Sequence, residues 1–457
     1  MLEPLQYAND HRVEQMAELI DFLRIPSVST LADRNNDTAA AAGWLVDAMT
    51  RAGLENARVI PTKRHPIVYA DWLHAGPEAP TVLIYGHYDV QPADPLELWE
   101  TPPFEPTIRG DYLYARGAAD DKGQLFVHVK AAEAYLRTTG RLPVNVKFLI
   151  EGEEEIGSRN LYDFIIENRE MLAADSALVS DTAMLAPGKP ALVYGLRGNC
   201  HVLLDIIGPT RDLHSGTYGG SINNPLNALG HLIARLKDER GHIMIPGFYD
   251  RVRPLTLEER ELLANFPLDP AEWLRESGAP ELWGEPEYSL PERISARPTL
   301  DITGMYGGYI GEGTKTVLPS YAHAKISMRL VPDQDPAEII QLFKEHIRSV
   351  LPPSVTVKIH AEGGARAALI DRDTASMRAA AAAYEATYHH PVVFMREGGS
   401  IPVVNHFESD LKLPTVLMGF GLPGDRIHSP NERFYIPNYY GGIETSIRYV
   451  DLLSRAD

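Results

Sequence analysis

The apolar positions of this chain fall into two rhythms. Short apolar runs at Thr81 to Tyr85, Val144 to Ile150 and Ala177 to Val179 have the length and β-branched content of buried strands. Between them lie stretches with helical spacing. Asp10 is placed to cap a first helix whose apolar face is Val13, Met16, Ala17, Ile20 and Leu23. An Ala-rich second helix runs from Thr38 to Leu54 with its stop at Gly53, and others cover Gln124 to Arg137 and Asn160 to Leu172. Strands alternating with helices predict an α/β domain with a largely parallel central sheet flanked by helices.

After Gly198 the pattern changes. Cys200 to Ile207 alternates, Pro225 to Leu236 is helical, Lys315 to Leu330 holds one or two strands, Pro336 to Leu351 is a helix and Val355 to His360 a strand. This is close to the β-α-β-β-α-β order of a ferredoxin-like α+β layer. A long insertion, Arg240 to Pro298, interrupts it. From Arg366 the first style returns, with a helix over Ala375 to Tyr388, strands at Val392 to Phe394 and Thr415 to Met418, and a helix from Asn438 to Leu453. The expected organisation is one domain of residues 1–198 and 366–457, with 199–365 inserted into it.

At 457 residues, two domains agree with the limit on a single core. A formal net charge of −19 argues against nucleic acid or an anionic membrane as partner. The single cysteine, Cys200, excludes an internal disulfide and a thiolate zinc site. With no signal-like start and no apolar run near the ~20 residues of a membrane span, a cytoplasmic setting is expected.

The chemistry lies at the strand ends. The first strand runs into Gly86, and His87 and Asp89 follow two positions apart, on the same side of an extended chain. Asp120, Glu154, Glu155, Asp181 and His428 stand in comparable turns, where open α/β sheets collect their sites. Taken singly, Asp120 and Asp121 read as a helix cap, Glu153 to Glu155 as a solvated charge run and His428 as a turn residue. Their recurrence after strands favours a shared site. Histidine and carboxylate donors without thiolate suit Zn²⁺, Mn²⁺ or Co²⁺, and one carboxylate can bridge two ions. Of the adjacent Glu154 and Glu155, one can bind metal while the other serves as general base. The Gly419 to Gly424 run matches a dinucleotide fingerprint formally, but Pro423 interrupts it and no helix follows.

Five motifs in order resemble the dinuclear metallo-exopeptidases that include cytosolic nonspecific dipeptidase and carnosinase, carboxypeptidase G, aminoacylase and succinyl-diaminopimelate desuccinylase. They are Gly86-His-Tyr-Asp-Val-Gln-Pro92, Arg116-Gly-Ala-Ala-Asp-Asp-Lys-Gly123, Glu151 to Ser158, Ser180-Asp181 and His428-Ser-Pro-Asn-Glu432. The resemblance implies two divalent ions, Zn²⁺ or Mn²⁺ with Co²⁺ possible. Asp120 bridges them, His87 and Asp181 complete one site, and Glu155 and His428 the other. It makes Glu154 the base that activates the water between the ions, leaves Glu153 at a free motif position, and gives Asp89 the task of orienting His87. It also implies a cis peptide between Asp120 and Asp121.

Arg211 to Gly220, Ser327 to Pro332 and Arg396 to Pro402 resemble the dipeptidase branch. There His214 acts in the partner subunit's site of a homodimer, the inserted domain serves as lid and dimerisation layer, and Arg329 with Gly399 and Ser400 holds the substrate's C-terminal carboxylate. The expected activity is hydrolysis of dipeptides with a free carboxylate. An N-acyl-amino-acid deacylase or desuccinylase on the same scaffold is the alternative. A non-catalytic metal-binding protein and a metal-dependent phosphoesterase are more remote.

Overall fold

The structure is a computed structural model that describes residues 2–399 and 401–456. The chain separates into two compact units. The first comprises Met1–Tyr194, Ile370–Met395 and Val403–Asp457; the second comprises Gly195–Leu369 and Arg396–Pro402. The second unit thus includes the turn after Arg396, which the sequence reading assigns to the first. No helix among the described residues is long and apolar enough to cross a membrane.

The first unit is built on a central sheet. In spatial order its strands include Glu55–Ile60, Ile67–Trp72, Asn145–Glu151, Thr81–His87, Ser176–Val179, Thr415–Leu417 and Ala191–Leu196. The four in the middle run parallel, and the flanking ones antiparallel. Asn145–Glu151 is buried along its whole length, as a strand is when both faces of its sheet are covered, which explains its lack of clean alternation. Register aligns the carboxyl ends: His87 lies opposite Glu151, Tyr85 opposite Val179, and Leu417 opposite Val179. The turns carrying Asp89, Glu154, Glu155 and Asp181 therefore leave the sheet side by side.

Two expectations change at the amino end. A helix over Glu3–Asp10 precedes the expected one, which spans Arg12–Leu23 and has no side-chain cap. Its buried face is Met16, Leu19, Phe22 and Leu23, whereas Val13 is 80% exposed. The core contact is set by Phe22, whose ring stacks on Trp44 at 4.6 Å. Asn35–Ala52 ends as expected at Gly53, whose φ of 96° is left-handed.

The second unit contains a four-stranded antiparallel sheet in the order Thr299–Gly307, Tyr321–Leu330, Gly198–Ile207, Thr356–Ala365. With the helices Pro225–Ile233 and Pro336–Val350 this is the ferredoxin-like arrangement. Cys200, Val202, Leu204 and Ile206 alternate inward to meet Leu229, Leu232, Phe343 and Ile347. The insertion is folded: it forms helices Leu257–Ala264, Pro270–Ser277 and Leu290–Ser295 and gives Ile243, Ile245 and Phe248 to the core.

Candidate metal centre

His87 ends its strand fully buried. Its Nδ1 donates to the Asp89 main-chain oxygen at 3.0 Å, with the Asp89 carboxylate at 3.5 Å, so Nε2 is left to face the cluster. Nε2 lies 3.1 Å from Asp120 Oδ1 and 3.9 Å from Asp181 Oδ2 but makes no well-formed hydrogen bond among the described residues. The other oxygen of Asp120 meets a second histidine: His428 Nε2 is 2.9 Å from Asp120 Oδ2 and 3.3 Å from Glu155 Oε2. Two donor groups result, His87 with Asp120 and Asp181, and Asp120 with Glu155 and His428. Within each, the donor atoms lie within 4.8 Å of one another.

Three of the donors, His87, Asp120 and Glu155, are held from outside. Asp89 orients His87 mainly through its main-chain oxygen, while its carboxylate accepts the N–H groups of Glu154 and Glu155, both at 3.2 Å. Gln91 donates to Glu155 Oε2 at 2.7 Å. The Asp120–Asp121 peptide is cis. Asp121 stands at the N-cap of the Lys122–Thr138 helix without capping it, its carboxylate accepting from the His87 N–H at 3.2 Å instead. Buried Glu432 accepts from Arg116 at 2.7 Å and from the N–H groups of Gly117, Ala119 and Asp120. His428 adopts φ 59°, a left-handed conformation uncommon among non-glycine residues.

The four glutamates of the 151–155 segment separate by role. Glu151 takes hydrogen bonds from Tyr85 at 2.6 Å and Ser158 at 2.9 Å. Glu153 is buried and occupied by the His65 N–H and the Asn160 amide, so the segment is not a solvated run. Glu154 and Glu155 remain for the centre.

The electrostatics favour a cation. Burial raises Glu154 to about 7 and Asp121 to about 8, and lifts Asp181 well above the usual carboxylate range. Burial also opposes ionisation of Asp120, but the imidazoles of His428 and His87 beside it outweigh that and hold its pKa low. Burial would depress His87, yet Asp120 and Asp89 keep it well above its ordinary value. Hydrogen bonds to Asp120 and Glu155 raise His428 to about 10. Buried carboxylates that share their protons with two imidazoles, and an orphaned imidazole nitrogen, form a donor set suited to divalent ions.

The remaining expected residues belong to the second unit. His214 is exposed; its Nδ1 accepts from the Gly216 N–H at 3.0 Å, so the neutral ring carries its proton on Nε2. Arg329 is half-buried in its strand, opposite Asn199 and Thr299. Gly399 is exposed, and Ser400 lies outside the described residues. Sequence reasoning missed Arg197, which donates to the Gly398 carbonyl at 3.2 Å. Burial and the nearby Arg329 charge lower Arg197 to about 10. It missed the function of Glu432 as well, although that residue closes the His428 motif. Gly419 answers a packing need, since a Cβ there would lie 2.0 Å from the Thr182 carbonyl.

Fold and donor set define a two-unit α/β protein with overlapping histidine–carboxylate groups at the strand ends. Residues 83–451 match peptidase family M20/M25/M40, and the chain belongs to that family. It is 32% identical over 472 residues to the Cys-Gly metallodipeptidase dug1 of Schizosaccharomyces pombe, covering 99% of this chain and 98% of that one. Its fold is similar to the M20 family metallo-carboxypeptidase Sso-CP2 of Sulfolobus solfataricus, with TM-score 0.87, 34% identity and 97% and 99% of the two chains covered. The dipeptidase Dug1p of Saccharomyces cerevisiae gives TM-score 0.85 at 28% identity, with 99% and 98% covered.

Proposed function

We propose that this protein is a cytoplasmic dinuclear metallodipeptidase that hydrolyses dipeptides with a free C-terminal carboxylate. The observation that carries the reading is the division of Asp120, one oxygen toward His87 and the other toward His428 and Glu155. His87, Asp120 and Asp181 would hold one ion, and Asp120, Glu155 and His428 the other, as Zn²⁺, Mn²⁺ or Co²⁺. Bound there, the ions supply Lewis-acid polarisation and acidify water.

The rest of the work falls to side chains. Glu154, raised toward neutrality by burial, accepts the proton of the attacking water and passes it to the leaving amine. The His214 Nε2–H, contributed by the partner subunit of a homodimer, stabilises the oxyanion. Arg329 with the Gly399–Ser400 turn binds the substrate carboxylate and restricts length. The second unit acts as lid and dimerisation layer.

Support comes from the S. pombe and S. cerevisiae dipeptidases, similar along almost their full lengths. A second reading, cleavage of C-terminal residues from longer peptides, has support from the S. solfataricus carboxypeptidase. A substrate panel separates them. Chelator-stripped protein restored with Mn²⁺ or Zn²⁺ is given free dipeptides, their C-terminal amides, tripeptides, and N-acetyl and N-succinyl amino acids. Metal-dependent release from free dipeptides alone is the expected result. Cleavage of tripeptides supports the carboxypeptidase reading, and turnover only of acylated amino acids moves the function to deacylation.

A further inference from the structure

Behind the donor cluster lies a buried polar chain that the proposed reaction does not use. His128, on the inner face of the Lys122–Thr138 helix, is 1% exposed. Its Nε2 is 2.7 Å from Ser180 Oγ and its Nδ1 3.0 Å from Ser446 Oγ, on the Ile436–Leu453 helix. Ser180 Oγ also lies 2.6 Å from the main-chain oxygen of Met418.

Proton counting gives this chain a direction. A carbonyl oxygen has no proton, so the single hydroxyl proton of Ser180 goes to Met418. Ser180 must then accept from His128, which places the imidazole proton on Nε2. Nδ1 is left as an acceptor for the Ser446 hydroxyl. Burial pushes the pKa of His128 down to about 3, and the neutral ring this requires is also the only form that can accept at Nδ1 while donating at Nε2.

The location gives the chain its purpose. Ser176–Val179 and Thr415–Leu417 are parallel neighbours, and the Met418 N–H donates to the Val179 carbonyl at 2.8 Å. The Ser180 hydroxyl then closes on the Met418 oxygen, so two strand ends are latched just where regular pairing stops. Asp181 is the next residue. We propose that His128 is a positioning residue for Asp181: it locks the Ser180 hydroxyl onto Met418 and thereby fixes the strand end from which the Asp181 carboxylate reaches the His87 side of the centre. This rests on the reading of Asp181 as a metal ligand.

The test uses the metal-free full-length chain and Mn²⁺ alone, by equilibrium dialysis, with thermal melts in chelator as the control for folding. Wild type, His128→Phe, His128→Gln, Ser180→Ala, the Phe/Ala double variant and Asp181→Asn are compared. Phenylalanine fills the space without polar atoms, whereas glutamine can donate and accept. Wild type is expected to bind two ions. His128→Phe and Ser180→Ala should melt cooperatively and lose about ten-fold or more in affinity for one ion, the one lost in Asp181→Asn. The double variant should be no worse than either single one, and His128→Gln should recover most of the affinity. Should His128→Phe fail to fold, Ser180→Ala decides. Wild-type affinity for both ions in the folded variants, or an equal loss of both, overturns the positioning role while leaving the two-ion reading intact. Fewer than two ions in the wild type overturns the two-ion reading and this inference with it.

Discussion

Glu154 and Glu155 share one turn and one pair of backbone anchors on Asp89, yet their surroundings differ. Glu155 is 3.3 Å from His428 and braced by Gln91, whereas Glu154 is raised to about 7, first by burial and then by neighbouring carboxylates. Glu154→Gln should lower turnover by about 10²–10⁴-fold while two ions still bind. Loss of an ion, measured by metal analysis, would show that base and ligand are interchanged. A second carboxyl offers a stability test. Burial raises Asp425 to about 7, well above its unfolded value near 4. A raised folded pKa means the native chain holds the proton more tightly, so this group's stabilising contribution is present below about pH 4 and lost as pH climbs to about 7. Asp425→Asn keeps an oxygen for the Leu422 N–H, which the aspartate accepts at 2.7 Å. It should raise the melting temperature at pH 8 and change it little at pH 4; equal effects at both would refute the assignment.

Segments far apart in sequence meet at single side chains. Glu432 is the clearest case, since it gathers Arg116 and three backbone N–H groups of the loop that presents Asp120. Glu432→Ala leaves a buried guanidinium unpaired and should cost about 3–5 kcal/mol in chemical denaturation, with weaker binding of both ions. Retention of both properties would mean the loop holds itself. This is also where sequence reading reaches its limit. His87, Asp120, Glu154, Glu155, Asp181 and His428 could be singled out because each follows a local strand or glycine signal that a sheet end converts into proximity. Glu432 and His128 carry no such signal, because an acid or histidine that satisfies buried groups resembles any other until its partners are known. The edge strand Glu55–Ile60 was missed because its mostly exposed positions lack alternation. Val13 was misplaced because helical spacing fixes a period but Phe22, not the period, chose the buried face.

The whole assembly is tested through His214. If it serves the partner's site, His214→Ala should abolish most turnover with little change in melting temperature. A mixture of His214→Ala and Glu154→Ala chains, unfolded and refolded together, should then regain about a quarter of wild-type activity, because half the dimers are mixed and each mixed dimer rebuilds one of two sites. No recovery despite mixed dimers, identified by differential tagging, would place His214 in its own subunit's chemistry or outside it.

The strand Thr415–Leu417 lies between Ser176–Val179 and Ala191–Leu196, two neighbours in sequence. During synthesis those two strands emerge with a gap between them, and residues 197 to 414 must be made before the filling strand appears, roughly 10–45 s at ribosomal rates. His428 and Glu432 come later still. The nascent chain therefore carries most of the candidate donors with neither the sheet nor the second donor group complete. If the two donor groups hold cations as proposed, the second site forms only at the end of translation, and a ribosome stalled before residue 415 would hold a chain that lacks it.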